Sequence, residues 1–247
     1  MAIKVGVGLG LEHDPLAAVQ SAVKQAKTNL ASNKIDLAIL FSTMGFANSV
    51  VVKAVRNLLG PVNIVGGSSL GVLSNQGVFK HGIALMLLAL PDGAYCNTAF
   101  VKNISEKTPT TAGEELGGKL LYGFKDISRD FCVIFSDGLI PDSSGLFYGL
   151  KERMGWSFPL AGASASDALE FKKTYVYYND EACGDAAAGI LWGGKLSFGL
   201  GVKHGWKPLG QPRHVTKSTG NVVHEIDGVA AATIYKDYLN YDFPRLE

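Results

Sequence analysis

One run of residues occurs twice, and that repetition constrains the fold more than any other feature. Asp36-Leu37-Ala38-Ile39-Leu40-Phe41-Ser42 is matched position by position by Asp130-Phe131-Cys132-Val133-Ile134-Phe135-Ser136, 94 residues later. The same offset carries Asp14-Pro15 onto Thr108-Pro109. Continuous apolar runs of this length are expected of strands covered on both faces. Asp14 and Thr108 are helix-capping residue types. Each is followed by proline at the first helical position, where its missing N–H costs nothing. A constant offset through helix and strand implies a unit used twice.

The unit reads as β-α-β-α-β-β. In the first copy, strands are expected at Ile3 to Leu9, Asp36 to Phe41, Asn63 to Val65 and Gly82 to Leu90. Helices are expected after Asp14 and from Asn48 to Leu59, stopping at Gly60-Pro61. Pro91-Asp92-Gly93 signals the closing turn. In the second copy, Ala99 to Ile104, Asp130 to Ser136 and Asp185 to Trp192 are the corresponding strands. The run Gly66-Gly67-Ser68-Ser69-Leu70-Gly71 aligns with Ala161-Gly162-Ala163-Ser164-Ala165-Ser166 if one residue is inserted. The second copy also carries an aromatic strand, Tyr175 to Tyr178, and a loop, Asn179 to Gly184. A third copy starts at Phe198 to Val202 and then departs from the pattern. A hairpin from His214 to Ile226 and a helix from Ala230 to Leu239 follow.

The expected fold class is therefore α/β, a duplicated β-α-β-α-β-β unit with mixed sheets covered by helices and pseudo-twofold symmetry. Residues 1–93 form the first repeat and residues 94–193 the second, packed against it. Residues 194–247 complete the domain with the hairpin and C-terminal helix. The pattern leaves open whether the copies share one sheet or stack two.

Composition narrows the function. Of the 247 residues, 47% are apolar and 18% charged, so a sizeable core can be buried. The net charge is +1 with no Lys/Arg run, which argues against nucleic acid as a partner. The longest apolar run, Ile83 to Leu90, is too short to insert in a membrane. Met1 to Val7 reads as a strand and lacks the apolar core of a signal peptide, so the expected location is cytoplasmic. Cys96, Cys132 and Cys183 are odd in number and far apart, as expected of reduced core thiols. Pro244 to Glu247 is an abrupt stop, expected of a piece of something longer.

Ligands of open α/β sheets sit beyond the carboxyl ends of strands, where small residues let them approach backbone N–H groups. Here those ends supply Ser42, Thr43, Ser136 and Asp137, with Gly67, Ser68 and Ser69 in one Gly/Ser loop and Gly162, Ser164, Ser166 and Asp167 in the other. Their hydroxyls can donate or accept, which suits a small polar metabolite. Gly6-Val7-Gly8-Leu9-Gly10 fails the dinucleotide spacing at Leu11. No cofactor is expected. The histidines lack metal-ligand spacing, so no metal is expected either. His204-Gly205-Trp206 reads as a packed polar-aromatic corner.

The combination of Leu40-Phe41-Ser42-Thr43 with Val65-Gly66-Gly67-Ser68-Ser69-Leu70-Gly71 resembles the N-terminal part of the FIST domain. So do Gly201-Val202-Lys203-His204-Gly205-Trp206-Lys207-Pro208, Val215 to Asn221 and Glu225-Ile226-Asp227-Gly228. The resemblance implies a sensory module of intracellular signal transduction that binds small ligands such as amino acids. It carries over no catalytic residues. Typical FIST proteins continue into a further C-terminal portion.

The leading expectation is thus a non-enzymatic sensory domain for an amino acid or similar metabolite. One alternative is a hydrolase or transferase using Ser68, Ser69 or Ser164, which lack a G-x-S-x-G elbow. Another is a protein-interaction module with a degenerate pocket. The expected partners are a small-molecule ligand, a signalling output domain or protein, and a second copy in a homo-oligomer.

Overall fold

In the computed structural model, which describes residues 2–194 and 196–234, the first strand and helix show how small residues set the packing. Strand β1 (Lys4–Gly10) has glycine at every second position, and α1 (Pro15–Leu30) lies directly on it. A Cβ on Gly6, Gly8 or Gly10 would fall about 2 Å from the carbonyl oxygens of Ala26, Ala22 and Ala18. The Gly-x-Gly-x-Gly run is therefore space for a helix. Asp14 caps α1 as expected, accepting from Ala17 N at 2.7 Å.

The remaining elements of the first half are β2 (Leu37–Thr43), α2 (Ser49–Leu59), β3 (Asn63–Ser69), a small hairpin of β4 (Val72–Ser74) and β5 (Gly77–Phe79), and β6 (Ile83–Ala89). The second half supplies β7 (Tyr95–Lys102), α3 (Pro109–Tyr122), β8 (Arg129–Ser136), α4 (Ser143–Met154) and β9 (Leu160–Ser164). A hairpin of β10 (Val176–Tyr178) and β11 (Glu181–Cys183) follows, then β12 (Ala186–Gly193). One sheet has the order β1-β6-β2-β3-β10-β11 and another the order β7-β12-β8-β9. In both, the second and third strands of the half are parallel to each other, and the closing strand runs antiparallel to its two neighbours. The fold is thus α/β with mixed sheets.

Three apolar clusters define the layers. Ala22, Val23 and Ala26 of α1 and Val51, Val52 and Val55 of α2 pack on Leu40, Ile64, Leu85 and Leu87 of the first sheet. Leu116 and Leu120 of α3 and Leu146 and Leu150 of α4 pack on Cys132, Ile134 and Leu191 of the second. Leu37, Val65 and Leu88 meet Phe135, Ala188, Ile190 and Trp192 between the sheets. The sheets therefore stack face to face with helices outside, which settles the question of one sheet or two. Phe41 and Phe135, partners under the 94-residue offset, touch edge to face at 5.6 Å.

Two sequence expectations need correction. Gly66 to Ser69 and Ala161 to Ser164 are strand, not loop. Their alignment also shifts by one residue. Ser42 pairs with Ser68, and Ser136 with Ser164, so Gly66 corresponds to Gly162 and two residues are inserted rather than one. A Cβ on Gly66 would meet Leu40 O at 1.8 Å, and one on Gly162 would meet Ile134 O at 2.4 Å. Leu40 and Ile134 are themselves offset partners.

The chain divides into two compact units, residues 1–199 and 200–247. In the second, β13 (Val215–Thr219), β14 (Val222–Ile226) and β15 (Val229–Ala230) form a small antiparallel sheet, as the hairpin signal expects. Residues 196–213 have no helix or strand, so no third copy begins at Phe198. The Trp206 side chain is exposed and its backbone N–H donates to His204 Nδ1, so the expected corner is open rather than packed. Of the helix expected from Ala230 to Leu239, Ala230 belongs to β15 instead, residues 231–234 are helical, and residues 235–239 lie outside the described residues.

Candidate functional site

The carboxyl ends of the strands hold two different kinds of place. At the first, the ends of β3 and the segment after β9 meet and saturate each other's hydrogen bonds. Ser68 Oγ donates to Ser166 O at 2.9 Å and accepts from Tyr175 N at 3.0 Å. Ser166 N donates to Ser68 O, and Ser166 Oγ accepts from Leu70 N. Gly67 is buried beside them, where a Cβ would lie 3.0 Å from Tyr175 O. Ser69 Oγ donates to Gly71 O at 2.7 Å. Ser42 Oγ and Tyr177 OH are 2.7 Å apart and both buried. Burial pushes the Tyr177 phenol well up from its ordinary value, against the opposing bond to Ser42. Thr43 Oγ1 accepts from Gly82 N at 3.1 Å. Ser136 Oγ and Ser164 Oγ are 3.3 Å apart.

These bonds make the junction a framework. None of the Ser68, Ser69 or Ser164 hydroxyls bonds to a histidine, lysine or carboxylate among the described residues. A serine hydrolase needs a nucleophile–base pair, and among the described residues these three hydroxyls are bonded to other partners. His81 instead faces Phe46 at 4.6 Å and His13 at 5.2 Å between ring centroids.

Asp167 is likewise engaged within the chain. Its carboxylate accepts from the backbone N–H groups of Glu170, Phe171, Lys172 and Lys173. The bond from Lys172 leads in holding the carboxyl below its ordinary value of 3.8. The loop it gathers contains Leu169 and Phe171 at φ 67° and 54°, which side chains with a Cβ seldom adopt. Asp167 thus fastens the connection between β9 and β10.

The second place is an open cleft of about 630 Å³ beyond β8. Asp137 follows the strand directly and is buried. Its N–H donates to Ala186 O at 2.9 Å, just as Thr43 N donates to Gly82 O at 3.0 Å in the first half. Its carboxylate accepts from Leu139 N, from Thr174 Oγ1 at 2.5 Å and from Asp185 N. Asp185, at φ 49°, accepts from both the N–H and the hydroxyl of Ser105. Asp142 caps α4, accepting from Gly145 N at 2.9 Å. Lys107, Pro109, Ile140 and Pro141 line the remainder. Lys107 Nζ lies 2.7 Å from Glu115 Oε2 and, with Lys119, holds that carboxyl below its ordinary range. Three carboxylates and one ammonium give the lining a formal charge of −2.

A family model described as the FIST N domain matches residues 36–229. The chain belongs to the FIST family. FIST is a family of signalling-associated sensory domains. This FIST N domain is also 26% identical over 185 residues to an uncharacterized protein of Methanocaldococcus jannaschii, covering 72% of this chain and 35% of that one. It is 22% identical over 230 residues to an uncharacterized protein of Mycobacterium tuberculosis, covering 92% and 57%. The chain thus spans between about a third and somewhat over half the length of these curated relatives. Among solved structures it resembles a cyanuric acid hydrolase from A. caulinodans with a TM-score of 0.39 and 7% identity, over 79% of this chain and 72% of that one. A second cyanuric acid hydrolase structure gives a TM-score of 0.37 and 11% identity, over 78% and 68%.

Of the residues read from the sequence as ligand-binding, only Asp137 lines the FIST N domain's cleft. Ser105, Lys107, Asp142 and Asp185 also line it, and the sequence reading did not put them among the ligand-binding residues. Asp142 carried a usable signal, a capping residue just after a repeated strand. Ser105 and Asp185 are 80 residues apart, and nothing local announces their contact. Cys132 is buried and Cys96 and Cys183 half-buried, all three free. Burial pushes the Cys96 thiol up to about 11, with Asp36 adding to it. No helix among the described residues is long and apolar enough to cross a membrane.

Proposed function

We propose that this FIST N domain is a sensory domain that binds an amino acid or similar small metabolite in the cleft beyond β8. The observation that carries this reading is the convergence of Asp137, Asp142 and Asp185 on one cleft at the start of two helices. A lining of net negative charge favours an ammonium group, and each charge-assisted hydrogen bond contributes roughly 1.5–3 kcal/mol. The first turns of α3 and α4 and the Lys107 ammonium offer the opposite charge for a carboxylate. A zwitterion satisfies both. In this reading the Ser42, Ser68, Ser136, Ser164 and Ser166 hydroxyls hold the frame, and Asp137 is the one residue shared by frame and ligand.

The two halves are proposed to descend from one duplicated unit, related by an approximate twofold axis passing near Phe41 and Phe135. Only one half built the acidic cleft. Asp137 and Asp185 correspond to Thr43 and His81, so charge was placed on one copy of a shared scaffold. The ligand signal is proposed to pass in the cytoplasm to an output domain or protein.

Thermal melting against a panel of free amino acids and simple amines tests the reading. A saturable rise in Tm is expected for at least one compound. Asp142→Asn keeps the α4 cap, since Asn and Asp cap equally well, and removes the charge. It is expected to leave the unliganded Tm in place while weakening the ligand about tenfold. A panel with no shift at all, or a shift untouched by Asp142→Asn, contradicts the site.

A further inference from the structure

We propose that the free edge of β9 is the docking site for the β4–β5 hairpin of a second copy of this chain. The pattern for such a contact is already present inside the molecule. The β10–β11 hairpin adds to the edge of β3, with Val176 opposite Gly67, Tyr177 opposite Gly66 and Tyr178 opposite Val65. Tyr177 is fully buried there, and Ala182 packs against the same core.

The β4–β5 hairpin is the counterpart of β10–β11. Both turn through two residues, with Ser74 opposite Gly77 and Tyr178 opposite Glu181. The offset that carries β6 onto β12 also carries Leu73 onto Tyr177, Asn75 onto Asn179 and Val78 onto Ala182. Yet Leu73 and Val78 are 73% and 72% exposed, whereas their counterparts are covered.

The matching acceptor is equally bare. Strand β9 is the counterpart of β3 and ends its sheet, with no strand on its outer side among the described residues. Ala165 N bonds to Ser136 O, and Pro159 O accepts from Cys132 N, so the backbone groups of residues 159 and 165 face β8. By alternation, those of Leu160, Gly162 and Ser164 face outward. Gly162, Ala163 and Ser164 are exposed. An exposed edge of this kind templates pairing with another chain.

The chain cannot fill its own gap. Only Leu70 and Gly71 join β3 to β4, whereas residues 165–175 join β9 to β10. From Ser69 to Val72 there are three Cα steps, about 10 Å when fully extended, which only equals the spacing of stacked sheets and leaves no length for turning onto the far edge. The longer connection lets β10–β11 cross to the opposite sheet, and the shorter one holds β4–β5 at home. A second copy carries no such tether. The docked register is Val72 opposite Ala163, Leu73 opposite Gly162 and Ser74 opposite Ala161, which lays Leu73 over a glycine as Tyr177 lies over Gly66.

Light scattering coupled to gel filtration, run from about 1 µM to several hundred µM to bracket ordinary weak association, tests the proposal. The mass is expected to rise above the 26.2 kDa monomer with concentration. Leu73→Lys with Val78→Lys is expected to hold it at the monomer value. Both side chains are exposed in the monomer, so melting should be unaltered. Ser164→Pro removes the outward N–H of the acceptor edge and is expected to hold the mass at the monomer value as well, with some loss of melting temperature because the Ser164 hydroxyl also faces Ser136. A mass fixed at the monomer value throughout overturns the proposal. So does association that survives the double lysine variant, because the occupant of the edge is then some other surface.

Discussion

The Ser42–Tyr177 pair joins a strand of the first half to a hairpin that the second half contributes, 135 residues away. Both hydroxyls are buried, so removing either one strands the other. Ser42→Ala and Tyr177→Phe are each expected to cost about 1–3 kcal/mol in chemical denaturation. The double variant should cost less than the sum, because it leaves no orphan. Strict additivity would show that the two hydroxyls do not depend on each other. Ser42 was legible as a special residue because it follows an apolar strand, but its role was not. A hydroxyl at a strand end looks the same in sequence whether it waits for a ligand or for a tyrosine far along the chain.

At the scale of elements, the insertion between β9 and β10 does the most to shape the molecule. It carries the hairpin across, and Asp167 holds it by four backbone N–H groups. Asp167→Ala is expected to speed amide exchange at Glu170, Phe171 and Lys172 without disturbing α1 or α3. Unchanged exchange would show that the loop holds itself. The pH dependence has a definite sign. The folded carboxyl titrates below its ordinary 3.8, so its contribution is present above that value and is lost as pH falls through the lowered one. Helices α1, α2 and α3 were legible, because capping residues and apolar spacing are local signals. The Gly/Ser strand ends were not, because glycine reads as a turn when the carbonyl it must admit lies on another strand. The final hairpin was visible in its turn residues, Ser218 to Asn221.

For the whole molecule, the recurrence of residues 36–42 at 130–136 pointed to the strand content and the mixed pairing, while stacking emerged only from contacts. An apolar run covered on both faces is consistent with helices on each side or with a helix on one side and a sheet on the other. Phe131, Val133 and Phe135 belong to the second case. The cleft was half visible for the same reason: Asp137 could be read from its strand, whereas Asp185 and Ser105 arrive from different elements. The most direct test of ligand binding there is an amide-resolved NMR titration with whichever amino acid or amine raises the Tm. The amides of Ser105, Leu139, Gly145 and Asp185 are expected to shift together and to saturate with one dissociation constant. Saturable shifts centred instead on Ser68, Leu70 and Ser166 would contradict the assignment and return the site to the Gly/Ser junction.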